Sequence, residues 1–168
     1  MSDIKLSAVE RTMRSITQHY NHEKYWRYRA IVVDPDQGSK LGDLFRLWYI
    51  KRADAFNNAS MGTHRNLGAQ FAAPPQLPHV LNGIVVTHHA VIGENCRIYK
   101  QVTIGETAKG APVLGNDIII GAGTKIIGPV TIGNAVKIGA GCVITQDIPD
   151  GAIVTASAPN IIVKKLGE

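Results

Sequence analysis

The sequence predicts a mainly β protein, a solenoid of short stacked strands preceded by a short helical segment. Three observations predict it. Aliphatic residues recur every six positions, at Val86, Ile92, Ile98 and Ile104, then at Ile120, Ile126, Ile132, Ile138 and Ile144. A glycine often follows (Gly93, Gly105, Gly121, Gly133, Gly139). Four positions after each aliphatic stands a small or branched residue: Ala90, Cys96, Val102, Thr124, Val130, Val136, Cys142 or Ile148. Helices repeat at 3.6 and strands at 2, so a period of six fits a short strand plus a turn. Self-similarity of this kind marks coils that bury their aliphatics against one another. The division that follows is a helical N-terminal segment over 1–58 and a solenoid domain over 59–168.

The chain of 168 residues is one domain's worth, and 45% hydrophobic content is enough for a core. The opening MSDIKL has no apolar stretch of the secretory kind, and no apolar run is long enough to span a bilayer. A soluble, cytoplasmic protein is expected. The net charge of +5 suits anionic ligands. The basic residues are scattered and aromatics make up only 6%, which argues against a nucleic-acid surface. Cys96 and Cys142 occupy equivalent repeat positions and read as packing groups rather than a bridge.

In chain order, Ser7-Ala-Val-Glu10 reads as a capping box opening a helix towards Asn21. A second helical segment runs from His22 to about Ala30, and Asp34 to Gly38 is a turn. Leu41, Leu44, Phe45 and Trp48 follow i, i+3, i+4, i+7 spacing, giving a third helix one apolar face to set on the solenoid or on another subunit. Arg46, Lys51 and Arg52 lie off that face. Asn57-Asn58 ends the helix, and extended structure begins near Thr63, with residues 67–71 readable as an irregular repeat unit. Pro74, Pro75 and Pro78 are too many for a central strand and predict a rigid loop that delivers His79 to the first regular coil. Sixteen positions separate Ile104 from Ile120 where six or twelve are expected, so residues between 105 and 117 must bulge out as a loop. Regular repeats resume to Ile148, with a closing segment near Ser157 to Ile162.

Units such as Ile92-Gly-Glu-Asn-Cys-Arg, Ile132-Gly-Asn-Ala-Val-Lys and Ile138-Gly-Ala-Gly-Cys-Val resemble the hexapeptide repeat of left-handed β-helix acyltransferases. Within that superfamily Gly83-Ile-Val-Val, Gln101-Val-Thr-Ile-Gly and Lys137-Ile-Gly-Ala-Gly are similar to serine O-acetyltransferase. The resemblance covers roughly residues 64–165. It implies the left-handed coil, against the usual right-handed preference of parallel crossovers. It also implies acetyl-CoA as the donor, a homotrimer with active sites between subunits, and a small-molecule or carbohydrate acceptor.

Acetyl transfer from a thioester to a hydroxyl needs a general base, which one histidine supplies, and a donor for the developing oxyanion. His79, in Leu77-Pro-His-Val-Leu-Asn-Gly83, stands where the resemblance places that base. This chain departs from the family there: one extra residue separates His79 from Gly83, Pro78 replaces an Asp, and the second orienting Asp has no clear counterpart. His88 and His89 are further candidates, aimed to opposite faces by strand alternation. The loop also departs, with Gly110-Ala111 before Pro112 in place of an Arg-His pair, so no guanidinium stands there to grip a carboxylate. That favours a sugar hydroxyl, including surface polysaccharide or its precursor, over L-serine, with His64-Arg65 the remaining source of a cation. By resemblance, coenzyme A contacts map to Thr107, Ala122, Lys137 and Ala140, and Lys137, Lys164 or Lys165 would meet its phosphates. Two alternatives stand beside this reading. One is a zinc hydratase of the γ-carbonic-anhydrase type using His64, His79 and His89. The other is a non-catalytic scaffold.

Overall fold

The computed structural model describes residues 7–37 and 39–158. Three helices come first: α1 (Ala8–Thr17), α2 (His22–Val33) and α3 (Lys40–Phe56). Asn21 and Ser39 cap α2 and α3 by accepting from the backbone N–H of Lys24 and Gly42. Helix α2 outruns its expected end by three residues. Fifteen strands follow, most of them two residues long. They are β1 (Ser60–Met61), β2 (Thr63–His64), β3 (Leu67–Gly68), β4 (Gln70–Phe71), β5 (Val85–Val86), β6 (Val91–Ile92), β7 (Arg97–Ile98) and β8 (Thr103–Gly105). The remainder are β9 (Val113–Leu114), β10 (Ile119–Ile120), β11 (Lys125–Ile127), β12 (Thr131–Ile132), β13 (Lys137–Ile138), β14 (Val143–Ile144) and β15 (Ile153–Val154).

The strands form a three-sided prism of parallel coils. The first face runs β1-β5-β8-β11-β14, the second β4-β6-β9-β12, and the third β7-β10-β13-β15. Each coil passes first, second, third face and then climbs to the next. The predicted aliphatic positions point inward and stack in register, Val86 on Ile104 on Ile126 and Ile98 on Ile120 on Ile138, and Leu114, which the period does not flag, fills the place between Ile92 and Ile132. All of them are buried, and each such aliphatic contributes on the order of 1.5–3 kcal/mol. Cys96 and Cys142 sit among them as free, buried thiols, as their repeat positions predict.

The period fails in four places, always at a corner: three excursions, and one shortening in which Ile148, four positions after Ile144, takes the second-face place beside Ile132. Ten positions separate Met61 from Phe71 and Ile104 from Leu114, against six for a regular step. Both excesses leave the corner between the first and second faces. The earlier one is the β2-β3 hairpin, an antiparallel pair, so residues 67 and 68 belong to a hairpin and only β4 to a coil. The later one is the expected loop, closed by reciprocal hydrogen bonds between Thr107 and Gly110 at 2.9 and 3.0 Å. At the corner between the third and first faces, residues 78–83 add a further excursion, which carries His79. Gln76 of the proline-rich stretch bridges Arg97 on its free side only, as an edge position permits.

The corner between the second and third faces is tied by a ladder. The side chains of Asn116, Asn134 and Asp150 accept from the backbone N–H of Glu94, Asn116 and Asn134 at 2.7–2.9 Å. Glycine follows the inward aliphatic because the neighbouring coil crosses there. A Cβ on Gly121 would lie 2.5 Å from the Ala140 backbone nitrogen.

The helices dock by a face other than the apolar one expected. Leu41, Leu44, Phe45 and Trp48 of α3 are all exposed, so that face does not pack on the solenoid. Asp43, Ile50, Ala53 and Asp54 are buried instead, so apolar packing and polar groups share the docking. The Arg29 guanidinium, 3% exposed, donates to the Ala69 carbonyl at 2.5 Å and to Thr63 Oγ1 at 3.1 Å. It also lies over the Phe71 ring, which meets Trp26 edge-on. Burial lowers its pKa to about 10, which leaves it charged at neutral pH. Tyr25 donates to Asp54 at 2.6 Å across the α2–α3 contact.

Candidate active site

Two corners flank the first face, and the sequence-predicted residues divide between them. His79 lies on the excursion between the third and first faces. It is exposed, its ring centroid 5.5 Å from that of Tyr99 in the coil above. Val80 beside it adopts φ 60°. Ala122 and Ala140 sit at this same corner in the two coils beyond that of Tyr99, joined by a hydrogen bond from Gly141 N–H to the Ala122 carbonyl at 2.9 Å. Lys137 is on the adjoining third face, exposed, paired with Ile119 and Ile153. Lys164 and Lys165 lie outside the described residues.

His88 and His89 follow β5 into the opposite corner, between the first and second faces. Thr107 is there too, so the four predicted coenzyme A contacts are not gathered at one corner of a single protomer. This corner gathers His64, His88, His89 and Glu106. His89 Nδ1 lies 2.6 Å from Glu106 Oε2. The His89 side chain is 62% exposed and that of Glu106 40%, so the pair faces solvent. His89 above all, and then Thr87, hold the Glu106 carboxyl below the usual carboxylate range. His88 is half-buried, its ring 6.4 Å from that of His64 on β2. Its pKa is lowered, first by burial and then by Lys51 of α3, His64 and His89, with Glu106 opposing.

Sequence reasoning missed Glu106 and Lys51. One coil is eighteen residues, so position 106 stacks above position 88, and that count points to Glu106. Lys51 comes from the docking of α3, which no solenoid period reports. Arg65 Nε lies 3.6 Å from Asp43 Oδ2, while the Arg65 side chain keeps 39% of its surface exposed. Of the three histidines of the zinc reading, His64 and His89 lie at one corner of the protomer and His79 at the other. Among the described residues no group of three or more His, Cys, Asp or Glu is arranged to hold a metal ion. A separate open groove of about 790 Å³ runs between α2 and the second face, lined by Trp26, Arg29, Leu67, Phe71 and Asn116, and holds none of the candidate histidines. No helix among the described residues is long and apolar enough to cross a membrane.

The family described as Bacterial transferase hexapeptide (six repeats) matches residues 111–146. Serine acetyltransferase of Mycobacterium tuberculosis is 32% identical over 116 residues, 67% of this chain and 50% of that protein. Serine acetyltransferase of Helicobacter pylori is 38% identical over 86 residues, 49% of this chain and 50% of that one. The chain thus spans about half, or less, of the curated relatives it matches. Among solved structures, Entamoeba histolytica serine acetyltransferase isoform 3 in complex with cysteine superposes with a TM-score of 0.63 at 26% identity, covering 91% of this chain and 63% of that one. The Neisseria gonorrhoeae serine acetyltransferase in complex with serine gives 0.58 at 28%, covering 69% and 46%.

Proposed function

We infer, from a chain of hexapeptide coils that is similar in sequence and fold to serine acetyltransferases, that it is an acetyl-CoA-dependent O-acetyltransferase. The observation that carries this reading is the register-matched solenoid from β1 to β15, which shares its fold with those enzymes over most of the chain. Acetyl passes directly from the thioester to an acceptor hydroxyl, with a histidine at a coil corner taking the proton. His79, His88 and His89 are the candidates for that role, His79 by its place before Gly83. Thr107, Ala122, Lys137 and Ala140 are proposed to line the coenzyme A site. They divide between the two corners of one face, and a homotrimer that sets neighbouring copies side by side would bring unlike corners together.

The acceptor we propose is a neutral hydroxyl, a sugar or saccharide precursor before free L-serine. A carboxylate acceptor would approach a corner whose loop carries Glu106 and no arginine, while Arg65 is engaged by Asp43. The test is thiol release from acetyl-CoA over L-serine and a panel of mono- and oligosaccharides, with sedimentation to fix the number of copies. A saccharide is expected to give the higher kcat/KM, in a trimer. Serine as the best acceptor overturns the acceptor assignment, a monomer at micromolar concentration the assembly, and no transfer to any acceptor the activity.

A further inference from the structure

We propose that the groove between α2 and the second face binds a small organic monocarboxylate, with Arg29 receiving the carboxylate and Trp26, Phe71 and Leu67 holding its apolar body. The inference goes beyond acetyl transfer and stands apart from it, since none of the candidate histidines lines the groove. It starts from a charge without a counterion. Arg29 is 3% exposed, and among the described residues no carboxylate lies within ion-pair distance of it. Its acceptors are neutral: Nε donates to Thr63 Oγ1 at 3.1 Å and Nη2 to the Ala69 carbonyl at 2.5 Å. Nη1 donates to no acceptor among the described residues, and Arg29 lines the groove. A buried cation is ordinarily matched by an anion, because carbonyl dipoles and ring faces recover only part of its lost hydration. The unmatched charge attracts an anion that enters the groove.

The walls decide the class of anion. The volume of about 790 Å³ falls in the range of small-molecule sites, about 300–1,000 Å³. The guanidinium carbon lies 5.4 Å from the Trp26 ring centroid and 4.7 Å from that of Phe71, so an anion at Nη1 has ring surface beside it. Val33 and Val91 continue the apolar lining, and Leu67 is 46% exposed there, surface that a ligand would cover. Asp34 lines the same groove, its carboxylate held by the Asp36 N–H and by Gln37 Nε2. That negative charge disfavours a dianion such as phosphate and is compatible with a single charge seated at Arg29. With Nε and Nη2 committed to the coils, Nη1 meets one carboxylate oxygen and cannot offer the two-pronged fork. A monoanion with an apolar body satisfies all of these features.

The experiment titrates the full chain with 3-phenylpropanoate and 4-methylpentanoate, following heat and tryptophan emission at low ionic strength. The comparison compounds are 3-phenylpropanamide, which keeps the shape and drops the charge, and inorganic phosphate. The acids are expected to bind one to one with a Kd of about 1 mM or tighter. The amide should bind at least about 10-fold more weakly, the scale of a hydrogen bond to a charged group. Phosphate should bind more weakly than either acid. Ala72 is exposed and lines the groove, so Ala72→Trp fills it while leaving the Arg29 hydrogen bonds in place. That variant should lose at least about 10-fold in affinity for the acids, with an unchanged melting temperature. Arg29→Met should bring the acid down to the level of the amide. Arg29 also ties α2 to the coils, so where that variant does not fold, Ala72→Trp and the acid–amide comparison carry the test. Absence of saturable binding by both acids overturns the proposal. Equal affinity for acid and amide, phosphate binding as tightly as the acids, or full binding by Ala72→Trp overturns it as well. The readout is binding alone, so a protein that transfers acetyl to no acceptor fails the reading above and leaves this one standing.

Discussion

Replacing Asp54 by Asn should stabilise the protein near neutral pH and not in acid. Asp54 is 3% exposed, in the contact between α2 and α3. Its Oδ1 accepts from Tyr25, and its Oδ2 has no hydrogen-bond partner. Burial pushes the carboxyl from 3.8 up to about 6, against the lowering effects of the Tyr25 hydrogen bond, Lys51 and Arg29. A carboxyl whose pKa is higher folded than unfolded binds its proton more tightly in the folded state. Its contribution is therefore full below about 4 and is lost as pH rises through about 6. The interval, taken at about 1.4 kcal/mol per pH unit, makes that loss about 3 kcal/mol. Asn keeps the acceptor for Tyr25 and cannot ionise, but leaves an amide donor where Oδ2 was, at a cost of about 1 kcal/mol. The variant should be about 1 kcal/mol less stable than wild type at pH 4 and about 2 kcal/mol more stable above pH 7. The assay is urea unfolding of both proteins from pH 4 to 8, at one ionic strength and one protein concentration. The difference between the two curves isolates Asp54, because the other groups cancel. A difference that stays flat within about 0.5 kcal/mol, or falls with pH, refutes the reasoning.

Cys96→Ala and Cys142→Ala should each keep full turnover and lose on the order of 1–2 kcal/mol in the same unfolding assay, because both thiols are buried among core aliphatics. Burial also pushes the Cys96 thiol up, which leaves it unreactive, so a folded Cys96→Ala protein without activity contradicts a packing role. Gly121→Ala should cost about 1–3 kcal/mol, since its Cβ meets backbone of the neighbouring coil at 2.5 Å. Gly123→Ala meets no atom within 4 Å but must hold φ 73°, so any loss there reports backbone strain alone. Equal melting temperatures for Gly121→Ala and wild type would contradict the close coil crossing.

The solenoid was legible because its constraint is local and repeated. Ile120 must point inward for the same reason as Ile98 and Ile138, and the spacing records this nine times over. The helical part was less legible. The i, i+3, i+4, i+7 row of Leu41, Leu44, Phe45 and Trp48 is a sound amphipathic signal, yet the helix docks through Ile50 and Ala53 with Asp54 beside them. Hydrogen bonding from Tyr25 offsets part of the cost of burying that carboxyl, and no hydropathy pattern encodes such a bond. At the candidate site the histidines were found by residue type, but the partner of His89 was not. Glu106 reaches His89 from the next coil, 17 residues on, where a count of eighteen per turn stacks it over His88 instead.

The corner loop carries a lesson for how such a chain can change. Four extra residues leave between Ile104 and Leu114, yet Ile92, Leu114 and Ile132 still pair rung on rung. An insertion at a corner is therefore mechanically silent, whereas one inside a two-residue strand would turn every later aliphatic out of the core. Loop length at this corner can drift or be redesigned without a matching change anywhere in the coils. Insertions and deletions between Glu106 and Pro112 are then open to the chain, as at the other corners, while the two-residue strands tolerate only substitutions. A library that varies the number of residues there, with the rungs untouched, tests this at little risk to folding.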